Sequence, residues 1–157
     1  MNASLFAQKG MALVVCLIFL LLSTLIVVAS MQNATLQEKM AGSVKLRNQS
    51  FQSAEEALRT GENVVQGKSF NLPACGYCLP PPESRQVTAA GVYAGVGQSS
   101  GLAWVKAGDG LYVIQKLGIS KHAVNVPQGE EATLYRVTAV GLQGKSRSVL
   151  ESIYAKY

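Results

Sequence analysis

Between Lys9 and Glu38 no side chain carries a charge, and residues 11–31, MALVVCLIFLLLSTLIVVASM, form one long apolar run. About 20 apolar residues rising roughly 1.5 Å each match the roughly 30 Å hydrocarbon core of a bilayer, whereas an export signal holds about 7 to 15. The pattern predicts a membrane-spanning helix. Beyond it, Leu36, Met40, Val44, Phe51, Ala54 and Leu58 recur at steps of three and four, with Glu38, Lys39, Arg47, Glu55 and Arg59 elsewhere on the cylinder. That spacing predicts a continuing helix with one stripe against a partner. Gly61 suits a left-handed cap, so the helix is expected to run from Met11 to Thr60, about 75 Å, softened by Gly42 at about 1 kcal/mol relative to alanine.

From residue 62 to 86 the pattern is lost. GKSFNLPACGYCLPPPESR contains Pro73, Pro80, Pro81 and Pro82, which lack backbone donors and predict a loop. Strands are expected at 86–96, 102–106 and 111–119, punctuated by glycines at 97–101 and 108–110. In 133–142 the alternation is cleaner, with Tyr135, Val137 and Ala139 on one face and Arg136 and Thr138 on the other. Gly144 then permits a tight turn into 148–156, an antiparallel hairpin. A long helix followed by strands predicts an α+β layer, the sheet lying on the outer half of the helix.

Composition narrows the function classes. The formal net charge of +5 is scattered without a cluster, which argues for a solvated face and against nucleic-acid binding. Outside the span roughly 120 residues remain, enough for one core. Cys75-Gly-Tyr-Cys78 has the spacing of thiol oxidoreductases, but three prolines follow almost at once and no helix can lower a thiol pKa there. A structural disulfide in an oxidising compartment is the favoured reading, with free thiols, redox work or metal binding as the alternatives. Closing so short a loop stiffens the chain only locally. His122 is the single histidine and has no visible partner. Residues 141–146, GLQGKS, resemble part of a phosphate-binding loop, but Ala139 stands where a glycine is needed and no helix is expected after Ser146. Lys145 and Arg147 are accordingly read as solvated turn residues. No pair of carboxylates and no nucleophile with a base is proposed. The expectation is a protein that is not an enzyme, with no cofactor, no metal and no small-molecule substrate.

The residues before the span, MNASLFAQKG, end in Lys9-Gly10 directly against the apolar run. This resembles the leader of a type IV prepilin. The resemblance implies cleavage between Gly10 and Met11 by a prepilin peptidase and N-methylation of Met11, the apolar helix surviving to become filament core. Residues 31–42, MQNATLQEKMAG, and 51–62, FQSAEEALRTGE, are similar to the segment after the span in PilX-type minor pilins, neisserial PilX and PilL among them. The tail 135–157, YRVTAVGLQGKSRSVLESIYAKY, looks like the final strand pair of that group. On this resemblance residues 1–10 are the leader, 11–31 the transmembrane and polymerisation helix, 32–62 its continuation, and 63–157 a globular antiparallel sheet head.

The function so implied is that of a minor pilin, incorporated into or priming the filament and supporting aggregation, adhesion or assembly. Its partners would be other pilins in a helical filament, the prepilin peptidase, the inner-membrane assembly machinery and the membrane. Charge leaves the orientation open, because Lys9 opposes Lys39, Lys45 and Arg47 under the positive-inside rule. The resemblance places residues after the helix in the periplasm and later on the cell-surface pilus. Related minor pilins bracket a variable loop with a disulfide, and Cys75 and Cys78 depart from that by their closeness. A second departure is Val15, where most of the family carry a glutamate that pairs with a neighbour's amino terminus. An unpaired charge in an apolar core is costly, so losing the carboxylate fits a scarce subunit. Cys16 beside it reads as a small packed hydrophobe. The candidate contact surface is the unmatched middle, about residues 71–128. A pseudopilin of a type II secretion system is the alternative within the same architecture. A membrane-anchored periplasmic binding or redox module using Cys75 and Cys78 is the competitor of another class. An export signal ending at Ala29, with Val27 as the other small position, is the alternative reading of the N-terminus.

Overall fold

The computed structural model describes residues 8–93, 99–124, 126–127 and 129–157. The chain is α+β: one long helix, α1 (Gln8–Gln66), and a five-stranded antiparallel sheet in the simple order β1 (Gly91–Val92), β2 (Ala103–Ala107), β3 (Gly110–Ser120), β4 (Ala132–Gln143) and β5 (Ser146–Lys156). It divides into two compact units, Met1–Ser43 and Val44–Tyr157.

In the first unit every residue from 11 to 43 is exposed, including Leu13, Phe19, Leu20, Ile26 and Met31. Its hydroxyls are satisfied within the helix: Ser23 Oγ donates to Leu20 O, Thr24 Oγ1 to Leu21 O, Ser30 Oγ to Ile26 O and Thr35 Oγ1 to Met31 O. A helix whose polar groups are all internally bonded can sit in hydrocarbon at little cost. The helix is long and apolar enough to cross a membrane.

The second unit packs the rest of α1 on the sheet, and of the expected stripe only Ala54 and Leu58 serve that contact. Val44 and Phe51 are exposed, as are Leu36 and Met40 before them. The fully buried line runs through Ser50, Ala54, Ala57, Gly61 and Val65. Small side chains let the helix backbone touch the sheet. A Cβ on Gly141 would collide with Ser50 O and Ala54 N, one on Gly110 would lie 2.5 Å from Ser53 O, and one on Gly61 would lie 2.6 Å from Val137 Cγ1. Gly61 therefore serves a close approach, not a cap, and the helix continues past it to Gln66. Lys156 supplies the positive group at that helix end, its Nζ donating to Gly67 O at 2.6 Å and Phe70 O at 3.0 Å.

Sheet register follows the alternation. β4 pairs with β5 over eleven consecutive positions, Tyr135 opposite Tyr154 and Ala139 opposite Leu150, through a two-residue turn in which Gly144 has φ 56°. β3 pairs with β4 with one bulge between Lys116 and Gly118, where Gly118 takes φ 141°. Tyr112, Ile114, Tyr135, Val137 and Ala139 form the helix-side core. The other face is also covered: Val87, Trp104, Leu111, Val113 and Val140 make a second cluster. Of the strand expected at 86–96 only Gly91–Val92 forms, and 94–96 lie outside the described residues, as do 97 and 98 of the expected glycine turn. The proline segment is irregular as expected, apart from a 3-10 turn at Pro82–Arg85 and a single parallel bridge from Ala74 to Lys116.

Candidate functional site

Two regions carry the residues singled out by sequence: the start of α1, and the loop holding the cysteines. At the first, Gly10 and Met11 both lie in α1, and Met11 is exposed. Residues 1–7 of the expected leader lie outside the described residues. Val15 and Cys16 follow on the same exposed helix, Cys16 with a free thiol. Nothing within the first unit covers these side chains, so hydrophobic surface there is available to lipid or to another chain.

At the second, Cys75 and Cys78 are joined by a disulfide with Cα atoms 5.2 Å apart. The surrounding segment is fastened to the sheet by side chains reaching its carbonyls. Cys75 N donates to Lys116 O at 2.9 Å. Gln115 Nε2 donates to Tyr77 O at 2.7 Å and Leu79 O at 3.2 Å, and Arg136 Nη1 donates to Cys78 O while its Nε donates to Glu151 at 2.8 Å. Arg147 Nη1 donates to Ser84 O at 3.1 Å and Val87 O at 2.7 Å. A run with three consecutive prolines has carbonyls to spare and few donors, so donors must come from outside it. Arg147 is thus half-buried and structural, unlike the solvated residue the sequence suggests, while Lys145 is exposed. Strand β5 begins at Ser146, so no helix stands behind the phosphate-loop-like residues and that lead ends.

Further along, the buried Glu83 carboxylate accepts from the Ser100 backbone N–H at 3.2 Å and from its hydroxyl. Tyr93 Oη accepts from Ala89 N at 2.9 Å and Thr88 N at 3.0 Å, and donates to Ala89 O. Those two N–H groups, Ala89 first, favour the phenolate and lower the Tyr93 pKa from its ordinary value. His122 is exposed in the loop after β3, its own backbone N–H donating to Ser120 Oγ. The proposed contact region 71–128 is therefore not one surface. Residues 111–115 are buried sheet, and the exposed part is the cysteine loop, the edge of β2 and the loop around Val124. Two open apolar clefts of about 260 and 280 Å³ share Leu72, Leu102 and Ile114 beside the cysteine loop.

Sequence reasoning placed Ala54 on the buried face but missed Ser50, Ala57 and Gly61 beside it, and the three donors Gln115, Arg136 and Arg147. The first had a signal in the spacing of Ser50, Ala54, Ala57 and Gly61; the second has none in a single sequence.

Residues 9–59 match the family described as PilX N-terminal. The match spans the apolar helix and the part of α1 that lies on the sheet, and it supports a type IV pilus, pilin-related role. Comparison with curated proteins and with solved structures gives no match.

Proposed function

We propose that this protein is a minor pilin of a type IV pilus. The observation that carries the reading is the conjunction of the family match over 9–59 with a helix whose residues 11–43 are wholly exposed and largely apolar. Such a surface is stable in lipid, and outside lipid only a bundle of like helices can bury it. Repeating one such contact without closure builds a helical filament. On this reading the prepilin peptidase cuts between Gly10 and Met11, Met11 is N-methylated, and the sheet unit stands in the periplasm before assembly and on the cell surface after it. Val15 leaves the amino terminus of a neighbour without a carboxylate partner, which suits a scarce subunit at initiation or near the tip. The Cys75–Cys78 disulfide is structural and suits an oxidising compartment. The exposed cysteine loop and β2 edge supply contacts for assembly, adhesion or aggregation.

Sheared, purified filaments analysed by mass spectrometry test this. The expected N-terminal peptide begins with methylated Met11. Absence of the chain from filaments, or a mature start at Ser30, overturns it. A deletion strain scored for fibre number and cell clumping then separates assembly from a surface role.

A further inference from the structure

Within the second unit the two sides of α1 are unlike. The buried line is flanked on one side by Phe51, 47% exposed, and on the other by Val64, 37% exposed and roughly 140° round the helix from it. Phe51 stands on the β5 side, where Glu62 accepts from Ser152 Oγ at 2.5 Å. Val64 stands on the β2 side, where it shares the open apolar cleft of about 260 Å³ with Leu102, Val105 and Tyr112. That cleft has α1 as one wall and β2 as the other, and Val105 on the β2 wall is 45% exposed. The chain thus carries a projecting aromatic and an apolar recess on opposite sides of one helix, so Phe51 cannot fill its own cleft.

The charges beside the two features select the occupant. Arg47 is exposed one turn before Phe51. Glu56 is exposed two turns before Val64, beside Gly108 at the end of β2. Among the described residues neither side chain has an ion pair within the chain. At its other end the cleft runs into the second one, lined by Lys116, whose Nζ donates to the neutral Asn71 Oδ1 at 2.8 Å. Glu55, one turn after Phe51, is already paired with Arg59.

We infer that Phe51 of one copy of this chain seats between Val64 and Val105 of a second copy, with residues 44–66 of the two helices parallel. Charge fixes the direction. In the parallel arrangement Arg47, about 6 Å before Phe51 along the axis, approaches Glu56, about 12 Å before Val64, and the two long side chains span the difference. Reversed, Arg47 is carried toward Lys116, and like charges disfavour that pairing. The aromatic and the cleft are different surfaces, so each contact leaves a free cleft on one copy and a free Phe51 on the other and can repeat without closing. The inference rests on the pilin reading for its setting. A filament needs a contact in which all copies point one way, and a scarce subunit that makes this one enters the filament in short runs.

The test uses the purified full chain in detergent, so its failure leaves untouched the filament mass spectrum that tests the pilin reading. Phe51 is replaced by the photoreactive aromatic p-benzoylphenylalanine, which keeps the bulk of the side chain. Illumination is expected to give a covalent dimer whose cross-linked peptide contains Val64 or Val105. Arg47→Glu and Glu56→Arg should each lower the yield about fivefold, the size of an exposed ion pair, and the double variant should restore it. Val105→Arg should remove the dimer, whereas Val124→Arg, in the loop after β3, should leave it. Each variant is checked for a native Trp104 emission spectrum. No dimer, a cross-link to any other site, or a double variant that fails to restore the yield overturns the inference.

Discussion

The two parts of α1 use opposite chemistries for burial. From 11 to 31 the helix displays leucine, isoleucine, valine and phenylalanine on all sides and covers none of them within its own unit. From 44 to 66 it buries mainly small residues, Ser50, Ala54, Ala57 and Gly61, with Val65 at the end, and leaves Val44 and Phe51 outside. Bulk is what a lipid-facing or bundle-facing helix needs, because its partner is deformable or can interdigitate. Closeness is what a sheet-facing helix needs here, because Gly110 and Gly141 bring two backbones into contact.

Substitutions that ignore this difference should be the most damaging. Gly141→Val forces a side chain into the backbone of Ser50 and Ala54, so a loss of about 3 kcal/mol or more is expected. Thermal unfolding of the detergent-solubilised chain, followed by the single tryptophan, Trp104, measures it. In the first part, Leu21→Arg places a charge at the middle of the span at a cost of about 2.5 to 3.5 kcal/mol, and should deplete the membrane fraction while leaving Trp104 emission native.

Arg147→Ala removes a charged donor from two carbonyls of the proline segment. A loss of about 1.5 to 3 kcal/mol is expected, with red-shifted Trp104 emission as the second core cluster opens. The smallest effect has the opposite sign. Gly42 has nothing within 4 Å of an added Cβ, so Gly42→Ala should stabilise the helix by about 0.5 to 1 kcal/mol. Helix content by circular dichroism reads this, and a loss there would mean that close packing extends into the first unit.

How much of this was legible in the sequence follows the same division. The apolar run, β3 and the β4–β5 hairpin are local patterns of period 3.6 or 2, and the structure bears out the helix, the hairpin and the α+β class. The end of α1 was misjudged because Gly61 has the composition of a cap, and only the presence of Val137 and Tyr112 across from it shows why glycine is required. Of the stripe expected on α1, Ala54 and Leu58 meet the sheet while Val44 and Phe51 do not, because the glycines of β3 and β4 bring the backbones too close for bulk along that line. At the candidate sites, the pair Cys75 and Cys78 was visible as a motif. The anchoring of its loop by Gln115, Arg136 and Arg147 was not, since those contacts join residues 36 to 63 positions apart.

Cys16 offers the most direct test that the first part of α1 is covered by lipid and then by sister helices. It is a free thiol in the apolar run, and the other two cysteines are bonded to each other. A membrane-impermeant maleimide should leave Cys16 unlabelled in intact membranes and in intact filaments, and label it after dissociation in denaturant. Rapid labelling in either intact preparation, or mature filament protein that lacks Cys16 altogether, would contradict the account.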